Sequence, residues 1–225
     1  MSLIPFYSEN KDLLEIGIDE AGRGPMFGRL YVAAVVLPKD GSFDFTHIKD
    51  SKKITSAKKR QELYERILQT ALATHIYYVE ADIIDKINIR QAVLKGMREC
   101  ISEISKKLQE KLGIFVLNRF IMVDGNDFLP YMEYQKEEDV LKQIPHETFI
   151  GGDNTYVNIA AASILAKVAR DNYVLELCKE NPLLVEQYGL NKNMGYGTKQ
   201  HLDGIKKYGI TQWHRKTYGC CKSFS

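Results

Sequence analysis

Residues 14–37 read LEIGIDEAGRGPMFGRLYVAAVVL, and the fold turns on how this stretch divides. Leu14 to Ile18 is a short apolar segment that ends in the acidic pair Asp19 and Glu20. The glycine-rich Gly22-Arg23-Gly24-Pro25 follows at once. Leu30 to Leu37 is then apolar without a break and rich in small and β-branched residues, the composition of a strand buried on both faces. Two strands with a polar, glycine-rich connection therefore open the chain.

Working outward, Ser56 to Ala73 predicts a helix, with Leu63, Ile67 and Leu68 at helical spacing. His75 to Glu80 predicts a third strand, and Arg90 to Leu112 a second helix. Phe120 to Val123 is a fourth strand running into Asp124-Gly125, and Glu147 to Ile150 a fifth running into Gly151-Gly152-Asp153. The charged, irregular stretch from Asn126 to Gln143 is expected to be loop with some helix. Tyr156 to Lys179 is the strongest helical segment, alanine-rich in its first half, and a last helix spans about Thr198 to Lys207. Early strands joined by short connections, then strands alternating with helices, imply an α/β fold: a mixed five-stranded sheet flanked by helices. Residues 1–225 are expected to form one domain, with 208–225 as a short C-terminal tail or element.

Composition narrows the class. With 225 residues, 44% hydrophobic and 27% charged, the chain can bury a sizeable core, which excludes wholesale disorder and fibrous repeats. A formal charge of +2 does not by itself announce a nucleic-acid partner. No apolar run approaches the roughly 20 residues needed to span a bilayer, and the first residues lack the pattern of a secretory signal. Four cysteines at irregular spacing make neither a disulfide framework nor a zinc site, so a reducing, cytoplasmic location is expected.

The chemistry gathers at strand ends. Asp19 and Glu20 end the first strand, Asp124 ends the fourth, and Asp153 lies just past the fifth. Ligands of open α/β sheets bind outside the carboxyl ends of the strands. If these strands are neighbours, several carboxylates converge, and such a cluster calls for a divalent cation. Oxygen ligands without His or Cys suit Mg²⁺ or Mn²⁺ rather than zinc. Taken singly, each acid also reads as a turn residue or helix cap. Asp171 rivals Asp153 for the last place, because Ser163, Lys167 and Asp171 share one helix face; there it can equally be an ion-pair partner of Lys167. Lys167 and Arg170 form one of several local basic groups. The GRGP stretch lacks the Gly-Lys-Ser/Thr ending of a P-loop and the glycine spacing of a dinucleotide fingerprint. Its glycines would let a backbone approach a ligand closely.

Taken in order, these motifs resemble the type 2 ribonucleases H. Asp19-Glu20-Ala21-Gly22-Arg23-Gly24-Pro25 is similar to the family's opening motif. Asp50-Ser51-Lys52-Lys53, Val123-Asp124-Gly125, Gly152-Asp153, Ala161 to Val168, Gly195-Tyr196 with Thr198 and His201, and His214-Arg215 fall in the family's order. Gly151, Gly197 and Thr217-Tyr218 depart from its commoner residues. The resemblance implies a ribonuclease H-like fold and a single-subunit, monomeric endonuclease. Its substrates would be the RNA strand of RNA–DNA hybrids and duplex DNA with embedded ribonucleotides, incised 5′ of a single ribonucleotide to leave 5′-phosphate and 3′-hydroxyl ends. It implies a two-metal site on Asp19, Glu20, Asp124 and Asp153, with Asp153 preferred to Asp171. It also implies recognition of the ribose 2′-hydroxyl by Gly22, Arg23, Gly24 and Tyr196, and a phosphate contact from Lys52. Two other readings stand beside it: a nuclease of the same fold without 2′-hydroxyl discrimination, and a non-catalytic hybrid-binding module, which would lack one of the carboxylates. Setting the four metal-site acids aside leaves the remainder of the chain at +6, so the near-neutral total conceals a basic protein.

Overall fold

The computed structural model describes residues 3–48, 54, 56–112, 118–135 and 139–224. In chain order its strands are Leu14–Ala21 (β1), Leu30–Val36 (β2), Ala73–Val79 (β3), Arg119–Asp124 (β4), Met132–Gln135 (β5), Val140–Gln143 (β6) and His146–Phe149 (β7). The helices are Ala57–Thr70 (α1), Ala81–Ile87 (α2), Ile89–Leu112 (α3), Val157–Glu180 (α4), Leu183–Tyr188 (α5), Leu190–Asn193 (α6) and Lys199–Tyr208 (α7). Five strands form one mixed sheet in the order β3-β2-β1-β4-β7. β1 and β3 flank β2 antiparallel, whereas β1, β4 and β7 run parallel. Three carboxyl ends therefore emerge side by side at one edge.

The unbroken apolar run of β2 is explained by layers on both faces. Leu30, Val32, Ala34 and Val36 pack into the layer that holds Val93, Met97, Ile101 and Ile104 of α3. Tyr31, Ala33 and Val35 point the other way, toward α1 and α4, as the two-residue period of a strand requires. α4 is buried almost all round in its first half, which its alanines permit, since small side chains let a helix lie close to a sheet. The contact is closest at Gly17 of β1, where a Cβ would stand 2.3 Å from the Asn158 carbonyl carbon. α1 begins at Ser56, whose hydroxyl accepts from the Lys59 N–H at 3.3 Å.

One expectation is corrected. Asn126 to Gln143 is not loop with some helix: β5 and β6 form a separate antiparallel hairpin, with Tyr134 opposite Leu141. Its alternation is hard to read because Met132, Tyr134, Val140 and Leu141 are exposed apolar residues within a charged stretch. Arg119 anchors the hairpin through a two-armed ion pair with Glu133. Of the two forms expected for residues 208–225, tail or short element, the described residues take the second. Phe27 and His214 form an antiparallel bridge, and Cys221, in the 3-10 helix Gly219–Phe224, joins Met26, Phe27, Val174, Leu190 and Ile205 in a third core. Among the described residues no helix is long and apolar enough to cross a membrane.

Candidate active site

The parallel register brings the acids together. Ile18 pairs with Val123, so Asp19 and Asp124 follow as the next residues of two adjacent strands. Asp124 pairs with Phe149, after which the chain turns through Ile150 and Gly151 to Gly152. The Gly152 N–H donates to Asp124 Oδ1 at 2.7 Å, which ties the turn bearing Asp153 to the end of β4. Asp19 and Asp153 are both buried. Burial, then Glu20, then Asp124 push the Asp19 carboxyl well above the ordinary aspartate range. The Ser163 hydroxyl on α4 and the Glu20 N–H, at 2.7 Å, oppose that shift by hydrogen bonding to the charged form.

A desolvated carboxylate beside two more is the environment that a divalent cation neutralises, and an all-oxygen donor set suits a hard ion. Asp19, Glu20, Asp124 and Asp153 thus fit a Mg²⁺ or Mn²⁺ site by their chemistry. Among the described residues no three His, Cys, Asp or Glu side chains are yet drawn into one ligand group. Asp171 has an ion-pair partner on its own helix: its Oδ1 accepts from Lys167 Nζ at 2.8 Å.

Beside the acids lies a second assembly. Gly22 has φ +95°, and a Cβ there would come within 2.4 Å of Arg170 Nε, so this position requires glycine on both counts. Arg23 is half exposed, and its Nη1 reaches Glu20 Oε1 at 3.3 Å. The nearest side-chain atom to a Cβ on Gly24 would be Tyr196 Cε1, at 3.9 Å, which seats the tyrosine ring against the Gly-Arg-Gly segment. Tyr196 is 44% exposed, open to a ligand. The sequence separates these residues by more than 170 positions, yet the Met26 N–H donates to the Gly195 carbonyl at 3.0 Å. Lys52 lies outside the described residues.

Two arginines that the sequence offered as surface cations or motif endings hold this assembly from beneath. Arg170 is fully buried rather than part of a basic patch. Its Nη2 donates to the carbonyls of Phe27, at 3.2 Å, and Met194, at 2.8 Å. Arg215, also fully buried, donates from Nε to the Gly28 carbonyl at 3.0 Å and from Nη1 to the Arg23 carbonyl at 3.3 Å. The Tyr218 hydroxyl donates to the same Arg23 carbonyl at 3.1 Å. Burial lowers both guanidinium pKa values, that of Arg215 to about 10. Only the position of Arg170 on the largely apolar buried face of α4 could have signalled its role.

A family model described as Ribonuclease HII matches residues 16–221. The chain belongs to the ribonuclease HII family. A ribonuclease HII from Francisella tularensis subsp. novicida is 40% identical over 206 residues, covering 92% of this chain and 96% of that one. In fold the chain is similar to the ribonuclease H2 of Pyrococcus horikoshii OT3, with a TM-score of 0.66, 19% identity, and coverage of 94% and 97%. It is also similar to Bst-RNase HIII in complex with Mn²⁺, with a TM-score of 0.63, 15% identity, and coverage of 95% and 70%. Membership makes this chain a type 2 ribonuclease H, an endonuclease that acts on RNA–DNA hybrids.

Proposed function

We propose that this ribonuclease HII uses divalent metal ions, Mg²⁺ or Mn²⁺, and incises 5′ of a single ribonucleotide embedded in duplex DNA as well as cutting long hybrids. The observation that carries the proposal is the buried Asp19 carboxyl facing Glu20 and Asp124 at the ends of adjacent parallel strands. Asp19, Glu20, Asp124 and Asp153 would hold the metal. When bound, the ions would supply an activated water and stabilise the leaving 3′-oxygen. The Mn²⁺ in the complex of the similarly folded Bst-RNase HIII fits this donor set.

The chain's own residues then have separable tasks. The Ser163 hydroxyl bonds to the charged form of Asp19 and so opposes the upward shift that burial imposes. Gly152 orients the Asp124 carboxylate through its N–H. The Gly22, Arg23 and Gly24 backbone and the Arg23 side chain, with the Tyr196 ring against them, would test for the 2′-hydroxyl that distinguishes RNA from DNA at the cut. Lys52 would contact a phosphate.

The test is cleavage of a duplex carrying one ribonucleotide, with Mg²⁺, with Mn²⁺ and with chelator. Incision 5′ of the ribonucleotide that needs the metal, with an all-DNA duplex left intact, is expected. Absence of that incision under either metal overturns the proposal.

A further inference from the structure

We propose that His201 and His214 form a neutral imidazole pair that positions Tyr196 against the Gly-Arg-Gly segment. The inference rests on the reading of Tyr196 as a 2′-hydroxyl sensor and deepens it.

The geometry assigns every proton. The Thr211 backbone N–H, which can only donate, stands 2.9 Å from His214 Nδ1. That nitrogen must therefore accept, so the proton of neutral His214 sits on Nε2. Nε2 of His214 is 3.0 Å from Nε2 of His201, and with one proton already in that contact His201 Nε2 must accept it. The proton of His201 is left on Nδ1, 3.0 Å from the Tyr196 carbonyl, to which it donates. Each ring accepts on one side and donates on the other, so the order runs one way from Thr211 to Tyr196. An added proton on either ring would set N–H against N–H. Both rings are fully buried, and burial lowers both pKa values, that of His214 to about 3.

The pair spans the two halves of the ribose-facing assembly. His201 stands on α7, whose Thr198 cap also donates its N–H to the Tyr196 carbonyl at 2.8 Å, so both lone pairs of that oxygen are engaged. His214 is bridged to Phe27, just past the Gly-Arg-Gly segment, and its ring meets the Phe27 ring edge-on at 5.1 Å. The Tyr196 backbone is thereby held in register with that segment while its ring stays open. A histidine pair serving the core alone would not need to end on the carbonyl of Tyr196, whose ring is exposed.

Nitrogen-15 NMR of the wild-type imidazoles at neutral pH tests the pair directly. His214 should carry its proton on Nε2 and His201 on Nδ1; the opposite tautomers, or a charged ring, overturn the proposal. Rates on a one-ribonucleotide duplex and on a long hybrid test the positioning, with Tyr196→Ala as reference. His201→Phe, which keeps a flat ring without nitrogens, should lower the ratio of the two kcat values about three- to tenfold, the scale of one neutral hydrogen bond. His201→Asn, which places an amide N–H near the position of Nδ1, should recover most of that ratio and serves if the phenylalanine variant fails to fold. Equal losses on both substrates in the His201 variants, where Tyr196→Ala is selective, overturn the positioning role. If Tyr196→Ala is itself unselective, the sensor reading falls instead, and the tautomers still judge the pair.

Discussion

The carboxylate edge and the Gly-Arg-Gly–Tyr196 assembly adjoin one another but are built by different means. The first is a consequence of strand register: three parallel strands end together, and whatever residue ends each strand is delivered to the same place. The second is held by side chains that reach backbone carbonyls across the fold, namely Arg170, Arg215, Tyr218 and the histidine pair. A site made from strand ends tolerates change in its surroundings, since backbone ladders fix it. A site made from side-chain struts fails strut by strut.

The sharpest break between the two regions is Asp124→Asn. It removes one charge from the metal set while keeping shape and the acceptor for the Gly152 N–H. Cleavage should fall on the order of 10²- to 10³-fold, as for loss of a single electrostatic group, with hybrid binding retained in a gel-shift or anisotropy assay. Loss of binding in step with cleavage would show that the two regions do not work separately.

Gly22→Ala attacks the other region. A left-handed backbone and a guanidinium 2.4 Å from the new methyl group should cost about 1–3 kcal/mol, read as a lower urea midpoint. Discrimination between a one-ribonucleotide duplex and all-DNA should weaken with it. An unchanged midpoint would mean that Arg170 yields freely.

The acid edge should also show itself through pH. Asp19 has a native pKa above its unfolded value, so the folded protein holds that proton more tightly. Its contribution to stability is fully present below the ordinary aspartate value of about 3.9 and is lost as pH rises through the raised native value. With chelator, stability should therefore drop over that window; Mn²⁺ should restore it most near neutral pH, and Asp19→Asn should flatten the slope. The same slope in Asp19→Asn and wild type would place the effect elsewhere.

The smallest expected effect is Thr198→Ala. It removes the hydroxyl that accepts from the His201 N–H at the start of α7, at a cost of about 1 kcal/mol. Selectivity should change little, because the imidazole pair and the Thr198 N–H remain. A large loss of selectivity would make the cap, rather than the pair, the main support of Tyr196.

By itself the sequence determined the main strands and helices and which strands end in acids, because period and strand endings are local properties; that those strands are neighbours is decided by the order of the sheet. The run Leu30 to Leu37 could be nothing but a doubly covered strand, and Asp19-Glu20 and Asp124 had to follow their strands. The hairpin at Met132 to Gln143 was not legible, since its apolar residues stay exposed amid charge and burial supplies no pattern there. Nor was the work of Arg170, Arg215, His201 and His214. A buried arginine and a surface arginine are the same letter, and only the tertiary structure decides which carbonyls it meets. The proton order from Thr211 to Tyr196 exists only because a backbone N–H, two imidazoles and a carbonyl, scattered between residues 196 and 214, are brought within 3.0 Å of one another in turn.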